Sequence, residues 1–192
     1  MIAMLASTFT GRGRGEPALT SFTTIDVPGS TATQAFGINE SGQIVGTYVA
    51  GPIGHSFLLS EGIFTTIEVP GATGTTATGI NDSGQIVGFY EDPTGITHGF
   101  LLSQGIFTTI DAPHLQGLRF TRASGINDSG QIVGTYNGPA LGALGFLLSQ
   151  GIFTTIEVPG ATTTNATGIN DRGQIVGFYI DTNKAFHGFL LD

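Results

Sequence analysis

His114, Arg119 and Arg122 stand within nine residues of one another, in a chain that carries only 6 cationic side chains against 14 acidic ones. A pair of arginines can hold a carboxylate, sulfate or phosphate through its fork of N–H donors, and an imidazole beside it can act as a base. The stretch from His114 to Arg122 is therefore the candidate anionic-ligand site, with His114 the candidate catalytic group. The competing reading is a solvated insertion, which loops tolerate. Three other sets recur along the chain. His55, His98 and His187 occupy one repeated position; converging on an axis they could ligate a metal, and otherwise they are structural groups bonded within each repeat. Asp26, Glu68, Asp111 and Glu157 each stand two residues before a proline; a ring of carboxylates on an axis would bind calcium or another divalent cation, whereas on an outer strand they are simply solvated. Tyr48, Tyr90, Tyr136 and Tyr179 form the last set. An apolar ring with a polar tip suits sugars and other ring-bearing ligands, and it also suits plain packing. Walker loops, dinucleotide fingerprints, zinc spacings and Gly-x-Ser-x-Gly elbows are absent from the sequence.

The elements that must position these residues are themselves repeated. Gly79-Ile80-Asn81-Asp82-Ser83-Gly84-Gln85-Ile86-Val87-Gly88 has close copies starting at Gly37, Gly125 and Gly168, and Phe-Thr-Thr-Ile recurs at Phe22, Phe64, Phe107 and Phe153 with spacings of 42, 43 and 46 residues. Periods of about 40–50 residues belong to propeller blades and helical solenoids. Richness in Thr, Val, Ile, Phe and Gly, with no sustained 3.6 period, selects blades. The second unit divides into strands over 75–81, 85–90, 97–103 and 106–112. Asn81-Asp82-Ser83-Gly84 and Ser103-Gln104-Gly105 read as hairpin turns, and prolines end the fourth strands. Narrow Ala-Thr-Gly segments fit the innermost strand, and Phe-Thr-Thr-Ile fits the outermost. Eight of the 14 phenylalanines recur on the third and fourth strands, where they would fill the wedge between blades.

The expected fold is an all-β propeller, four blades of four antiparallel strands. Residues 1–20 match no repeat and read as a tail or leader; residues 21–192 form one domain. The repeats start on a fourth strand and stop on a third, so residues 21–28 are expected to pair with the last blade and close the ring. A monomer closed in this way and a strand-swapped dimer are the two arrangements this allows. Loops around 49–54, 91–97, 137–143 and 180–186, and around 29–34, 71–76, 114–122 and 160–165, differ between units and emerge on one rim. The near-identical turns emerge on the other. Function is expected on the variable rim.

Composition narrows the partners. Net charge is −8, with one lysine and five arginines. Tracking a phosphate backbone needs clustered cations, so nucleic acid is not an expected partner. No apolar run approaches the roughly 20 residues of a membrane-spanning helix, so membrane insertion is not expected either. There is no cysteine, hence no disulfide framework or thiolate chemistry. Met1 to Ala6 is apolar but lacks a positive flank, so it does not read as a complete signal peptide.

The Gly-Ile-Asn-x-x-Gly-Gln-Ile-Val-Gly core, followed by His55-Ser56-Phe57, His98-Gly99-Phe100 and His187-Gly188-Phe189, resembles the bacterial "probable extracellular repeat" of the HAF family. The third unit departs to Leu144-Gly145-Phe146. The resemblance spans residues 21–192. It implies an exported or cell-surface bacterial protein and transfers no catalytic residue. The expected function is a non-catalytic module that binds a small-molecule or glycan-like ligand at the variable rim, through Tyr48, Tyr90, Tyr136, Tyr179, His114, Arg119 and Arg122. The alternative is an ester or phosphoester hydrolase, metal-dependent through the repeated carboxylates or metal-free through His114.

Overall fold

The structure is a computed structural model that describes residues 8–9, 22–51, 53–113, 120–137 and 142–192. Two short strands come first, β1 (Thr8–Phe9) and β2 (Phe22–Thr23). Four repeated units follow. The first holds β3 (Ala32–Ile38), β4 (Ile44–Ala50), β5 (Ile53–Ser60) and β6 (Ile63–Ile67). The second holds β7 (Gly74–Ile80), β8 (Ile86–Glu91), β9 (Thr97–Ser103) and β10 (Ile106–Ile110). The third holds β11 (Phe120–Ile126), β12 (Ile132–Asn137), β13 (Leu144–Ser149) and β14 (Ile152–Ile156), and the fourth holds β15 (Thr163–Ile169), β16 (Ile175–Ile180) and β17 (Phe186–Leu191). Within each unit consecutive strands pair antiparallel, so each is one blade.

Turn chemistry sets the hairpins. Gly84 has φ of 74° and donates to the Asn81 carbonyl at 3.0 Å, closing the first turn. Gln104 and Gly105 both have positive φ, 52° and 78°. That is the two-residue turn whose twist matches its flanking strands. The first strand also carries a bulge that sequence patterning does not announce: its register slips between Ala77 and Gly79, and at the same place in the other three units. The bulge turns Thr78 sideways, so that its hydroxyl donates to the Ala123 carbonyl of the next blade at 3.0 Å. It also explains the glycine that ends Gln-Ile-Val-Gly. A Cβ on Gly88 would run into the Thr76 carbonyl, and one on Gly134 into the Arg122 carbonyl.

The first strands are innermost. A Cβ on Gly37 would lie 3.2 Å from the Gly79 Cα, and one on Gly125 3.4 Å from the Gly168 Cα, so these backbones touch across the blade boundaries. Farther out, Phe57, Phe100 and Phe146 are fully buried. Each packs against the fourth-strand phenylalanine of its own blade, with centroids 5.4, 5.5 and 4.6 Å apart. Between blades, Val45 and Ile67 of the first meet Ala77, Ile80, Ile86 and Phe100 of the second. The same apolar set recurs at the next two boundaries.

The expected ring closure is not formed. Phe22 and Thr23 pair with Phe9 and Thr8 rather than with β17, and the last blade has three strands among the described residues. The physical reason is that the first and last blades are not neighbours: β17 pairs only with β16 among the described strands, and the linker keeps the geometry of the other units. Val27 N–H donates to Thr33 Oγ1 at 3.1 Å, the same bond that Val69 makes to Thr75 and Val158 to Thr164. Residues 22–28 thus stand beside the first blade as a preceding blade's fourth strand would, and β2 is not paired with β17.

Candidate functional site

Strands of three blades, β4, β7, β8 and β11, bring the candidate site together on the variable rim. Alternation along β11 buries Thr121 and Ala123 and leaves Arg122 exposed. Its guanidinium lies over two rings, with Cζ 4.8 Å from the Phe89 centroid on β8 and 5.1 Å from that of Phe120 on β11 itself. Each such contact contributes about 0.5–1 kcal/mol at an exposed site and holds the side chain in one pose. Among the described residues no carboxylate lies within ion-pair distance of it. Beside it opens a groove of ≈ 330 Å³, lined by Thr47 and Tyr48 from the first blade and Thr76, Phe89 and Glu91 from the second, with Arg122 from the third. Glu91 accepts a long hydrogen bond from Thr73 Oγ1, 3.4 Å. The groove thus offers a planar cation as donor, a carboxylate and hydroxyls as acceptors, and two aromatic rings. That is the chemistry of a site for a small polyhydroxylated or anionic molecule.

Arg122 was expected within a variable loop with His114 and Arg119. It belongs instead to a strand. Ala112 N–H donates to Thr121 Oγ1 at 3.2 Å, the counterpart of the linker bonds elsewhere, so the repeat register resumes at Phe120 despite different residues. His114 and Arg119 lie outside the described residues.

The four tyrosines divide. Tyr48 lines the groove. The hydroxyls of Tyr48, Tyr90 and Tyr136 each bond a threonine on the fourth strand of their own blade, Thr66, Thr109 and Thr155, at 2.9, 3.0 and 2.7 Å. Tyr136 is buried. Tyr48, Tyr90 and Tyr179 stack on His55, His98 and His187, with centroids 5.1, 5.2 and 4.8 Å apart.

The histidines and carboxylates pair within blades. His55 Nδ1 meets Glu68 at 2.5 Å, and His98 Nδ1 meets Asp111 at 2.8 Å. Both carboxylates sit just beyond an outermost strand. Glu157 lies across from Leu144, which replaces the histidine of its unit, and Asp26 stands exposed. Among the described residues no group of three or more metal-ligating side chains comes together. Two other carboxylates organise rim loops. The Thr94 hydroxyl, with the Ile96 backbone N–H behind it, holds the Asp92 carboxyl down at about 2. The Ala185 backbone N–H does the same for Asp181, whose carboxyl is also lowered. Asp92 and Asp181 then face Nε2 of His98 and His187 at 3.5 and 3.2 Å.

Sequence reasoning missed Phe89, Glu91, Thr47 and Thr76. A signal was present: the second-strand positions on either side of the repeated tyrosine change from unit to unit, Thr47, Phe89, Thr135 and Phe178 before it and Val49, Glu91, Asn137 and Ile180 after it. It also missed the work done by the near-identical turns, where Asn39, Asn81 and Asn127 bond the following blade.

No family model matches this sequence, and no curated protein matches it. Solved structures do resemble it in fold. TolB from Acinetobacter baumannii aligns with a TM-score of 0.62 at 11% identity over 89% of this chain and 45% of its own. A catalytically inactive virginiamycin B lyase from Staphylococcus aureus, solved with quinupristin, aligns at 0.51 and 12% identity over 89% and 60%. The Aleuria aurantia lectin, in complex with α-methyl-L-fucoside, aligns at 0.50 and 14% identity over 91% and 64%. TolB and the lectin are β-propellers, and the present chain has the β-propeller fold. It spans about half to two thirds of the length of these proteins.

Proposed function

We propose that this protein is a non-catalytic binding module that takes a glycan-like or other small polyhydroxylated ligand in the groove between its first three blades. The observation that carries the reading is Arg122, an exposed guanidinium held between two rings, with no described carboxylate to neutralise it, at the edge of a groove that also presents Glu91 and Tyr48. The groove volume is near the lower end of the roughly 300–1,000 Å³ of ligand pockets, which suits one or two sugar rings. The lectin that shares the fold, solved with a fucoside, is compatible with this reading. In keeping with the HAF resemblance, we place the module outside the cell or on its surface; fractionation of the source cells checks that placement.

A glycan array followed by calorimetry tests the function. The wild type should retain a defined saccharide class, Arg122→Ala should abolish retention, and Arg122→Lys should weaken it, because an ammonium cannot stack or fork. An array with no hits, or binding indifferent to Arg122→Ala, would sink the proposal. A screen with esters and phosphotriesters separates it from hydrolysis: turnover lost in His114→Ala would replace the binding reading with the catalytic one.

A further inference from the structure

The two ends of the array present opposite halves of one interface. On the last blade, Val176 and Leu190 are 48% and 59% exposed. Their counterparts Val45, Val87 and Val133, and Leu58, Leu101 and Leu147, pack against a following blade. On the first blade Ile38 is 67% exposed, whereas its counterparts Ile80 and Ile126 are buried against a preceding blade. The polar pattern matches. Asn81 and Asn127 each donate to the carbonyl of the next blade's asparagine at 3.0 Å, while the Asn170 side-chain amide bonds only its own Gln174 among the described residues.

The last blade, three-stranded among the described residues, extends the match. Phe189 has no described ring partner of the kind that Phe64, Phe107 and Phe153 supply in the other blades. His187 uses Nε2 on Asp181, and no described carboxylate faces its Nδ1, the atom that His55 and His98 give to Glu68 and Asp111. Residues 22–28 carry the fourth-strand sequence, with Phe22 58% exposed and Asp26 exposed at the position of Glu68 and Asp111.

We propose that these faces bind a second copy of this chain head to tail, residues 22–28 of one copy completing the last blade of the other. The ladder between β5 and β6 fixes the register, because Leu59 faces Phe64 and Leu58 faces Thr65. Leu191 then faces Phe22, Leu190 faces Thr23, and His187 Nδ1 faces Asp26 of the second copy. The two-residue ladder of β1 and β2 gives way to one of five residues. A strand anchored on the first blade by Val27 reaches whatever abuts that blade, and its own last blade lies at the other end of the array. The four blades span 45–64% of the length of the propellers they resemble, and the first and last blades do not pair with each other. Engaged at both ends, two copies close a ring of eight blades, the top of the usual range of about four to eight.

The chain is free of cysteine, which makes the test direct. Chains carrying Asp26→Cys alone and His187→Cys alone, both exposed positions, are mixed and oxidised. The proposal expects a disulfide-linked pair on a non-reducing gel, and an unmodified protein that sediments at twice 19.8 kDa. Val176→Arg with Leu190→Arg should return sedimentation to 19.8 kDa while the β-sheet circular dichroism persists. Monomeric sedimentation of the unmodified protein overturns the proposal. So does a chain carrying both cysteines that cross-links only within itself, which would show a single chain closing its own ring. Failure of the mixed chains to cross-link overturns it as well.

Discussion

Asn81 Nδ2 donates to the Asn127 carbonyl of the next blade at 3.0 Å, while Asn81 Oδ1 accepts from Gln85 N–H of its own turn at 2.9 Å. One side chain therefore shapes a turn and latches two blades. Beside it, Asp82 N–H donates to Asp128 Oδ1 at 2.8 Å. The side chain of Asn81 is buried and that of Asp82 is exposed. Asn81→Ala should therefore destabilise the fold by about 1–3 kcal/mol, since the Gln85 N–H loses its acceptor and the Asn127 carbonyl keeps only the Gly130 N–H. Asp128→Ala should cost less, about 0.5–1.5 kcal/mol, because water can replace an exposed partner. Urea unfolding of the two variants checks the order; equal losses would show that the latch carries no special weight.

The phenylalanine layer gives a larger effect. Phe100 is fully buried, meets Phe107 edge-on at 5.5 Å, and packs against Val45 and Ile67 of the first blade. Phe100→Ala should cost about 3–5 kcal/mol, the range for removing a buried ring. Phe107→Ala, only half-buried on the outermost strand, should cost clearly less. Thermal melts of both variants would contradict the assigned strand order if the outer ring proved the costlier one to lose.

Much of this architecture is legible in the sequence, for a physical reason. A blade must satisfy the same constraints each time it is built, so the turn at Asn81, the narrow strand at Ala77 and the phenylalanines at 57, 100 and 146 repeat and can be aligned with themselves. Strand boundaries in the second unit fall within two residues of expectation. What repetition hides is geometry between units. Ring closure fails because the first and last blades do not meet, with β17 paired only to β16 among the described strands, a fact invisible until the fold is seen. The site is legible only in part. Arg122 and Tyr48 stand out by residue type, but Phe89 and Glu91 matter only because the β8 register turns them toward the same groove.

Acid should loosen the loop after β8 before the blades themselves. Asp92 Oδ1 accepts from the Thr94 hydroxyl, the Thr94 N–H and the Ile96 N–H at 2.7, 2.8 and 3.0 Å. These bonds favour the carboxylate and lower its titration from 3.8 to about 2. A folded-state value below the unfolded one means that the stabilisation is complete above roughly pH 4 and is lost as pH falls toward 2. Protection of the Thr94 and Ile96 amides, taken relative to their intrinsic exchange rates at each pH, should fall over that window and not between pH 5 and 8. Asp92→Ala should remove this change in protection and leave both amides unprotected at every pH. A protection profile unchanged from pH 5 to pH 2 would contradict the assignment.

Tyr48 and Tyr136 occupy the same repeated position and should answer differently to substitution. Both hydroxyls bond a fourth-strand threonine, but Tyr136 is buried and Tyr48 lines the groove beside Glu91 and Arg122. Tyr136→Phe removes one part-buried hydrogen bond and should cost about 0.5–1.5 kcal/mol of stability with saccharide binding intact. Tyr48→Ala removes an aromatic wall of the groove. It should weaken binding about tenfold or more, in line with roughly 1.4 kcal/mol for one ring stacked on a ligand. Calorimetric titration and thermal melting on both variants separate the two roles. If Tyr136→Phe abolished binding and Tyr48→Ala did not, the ligand groove would have to be sought at another blade boundary.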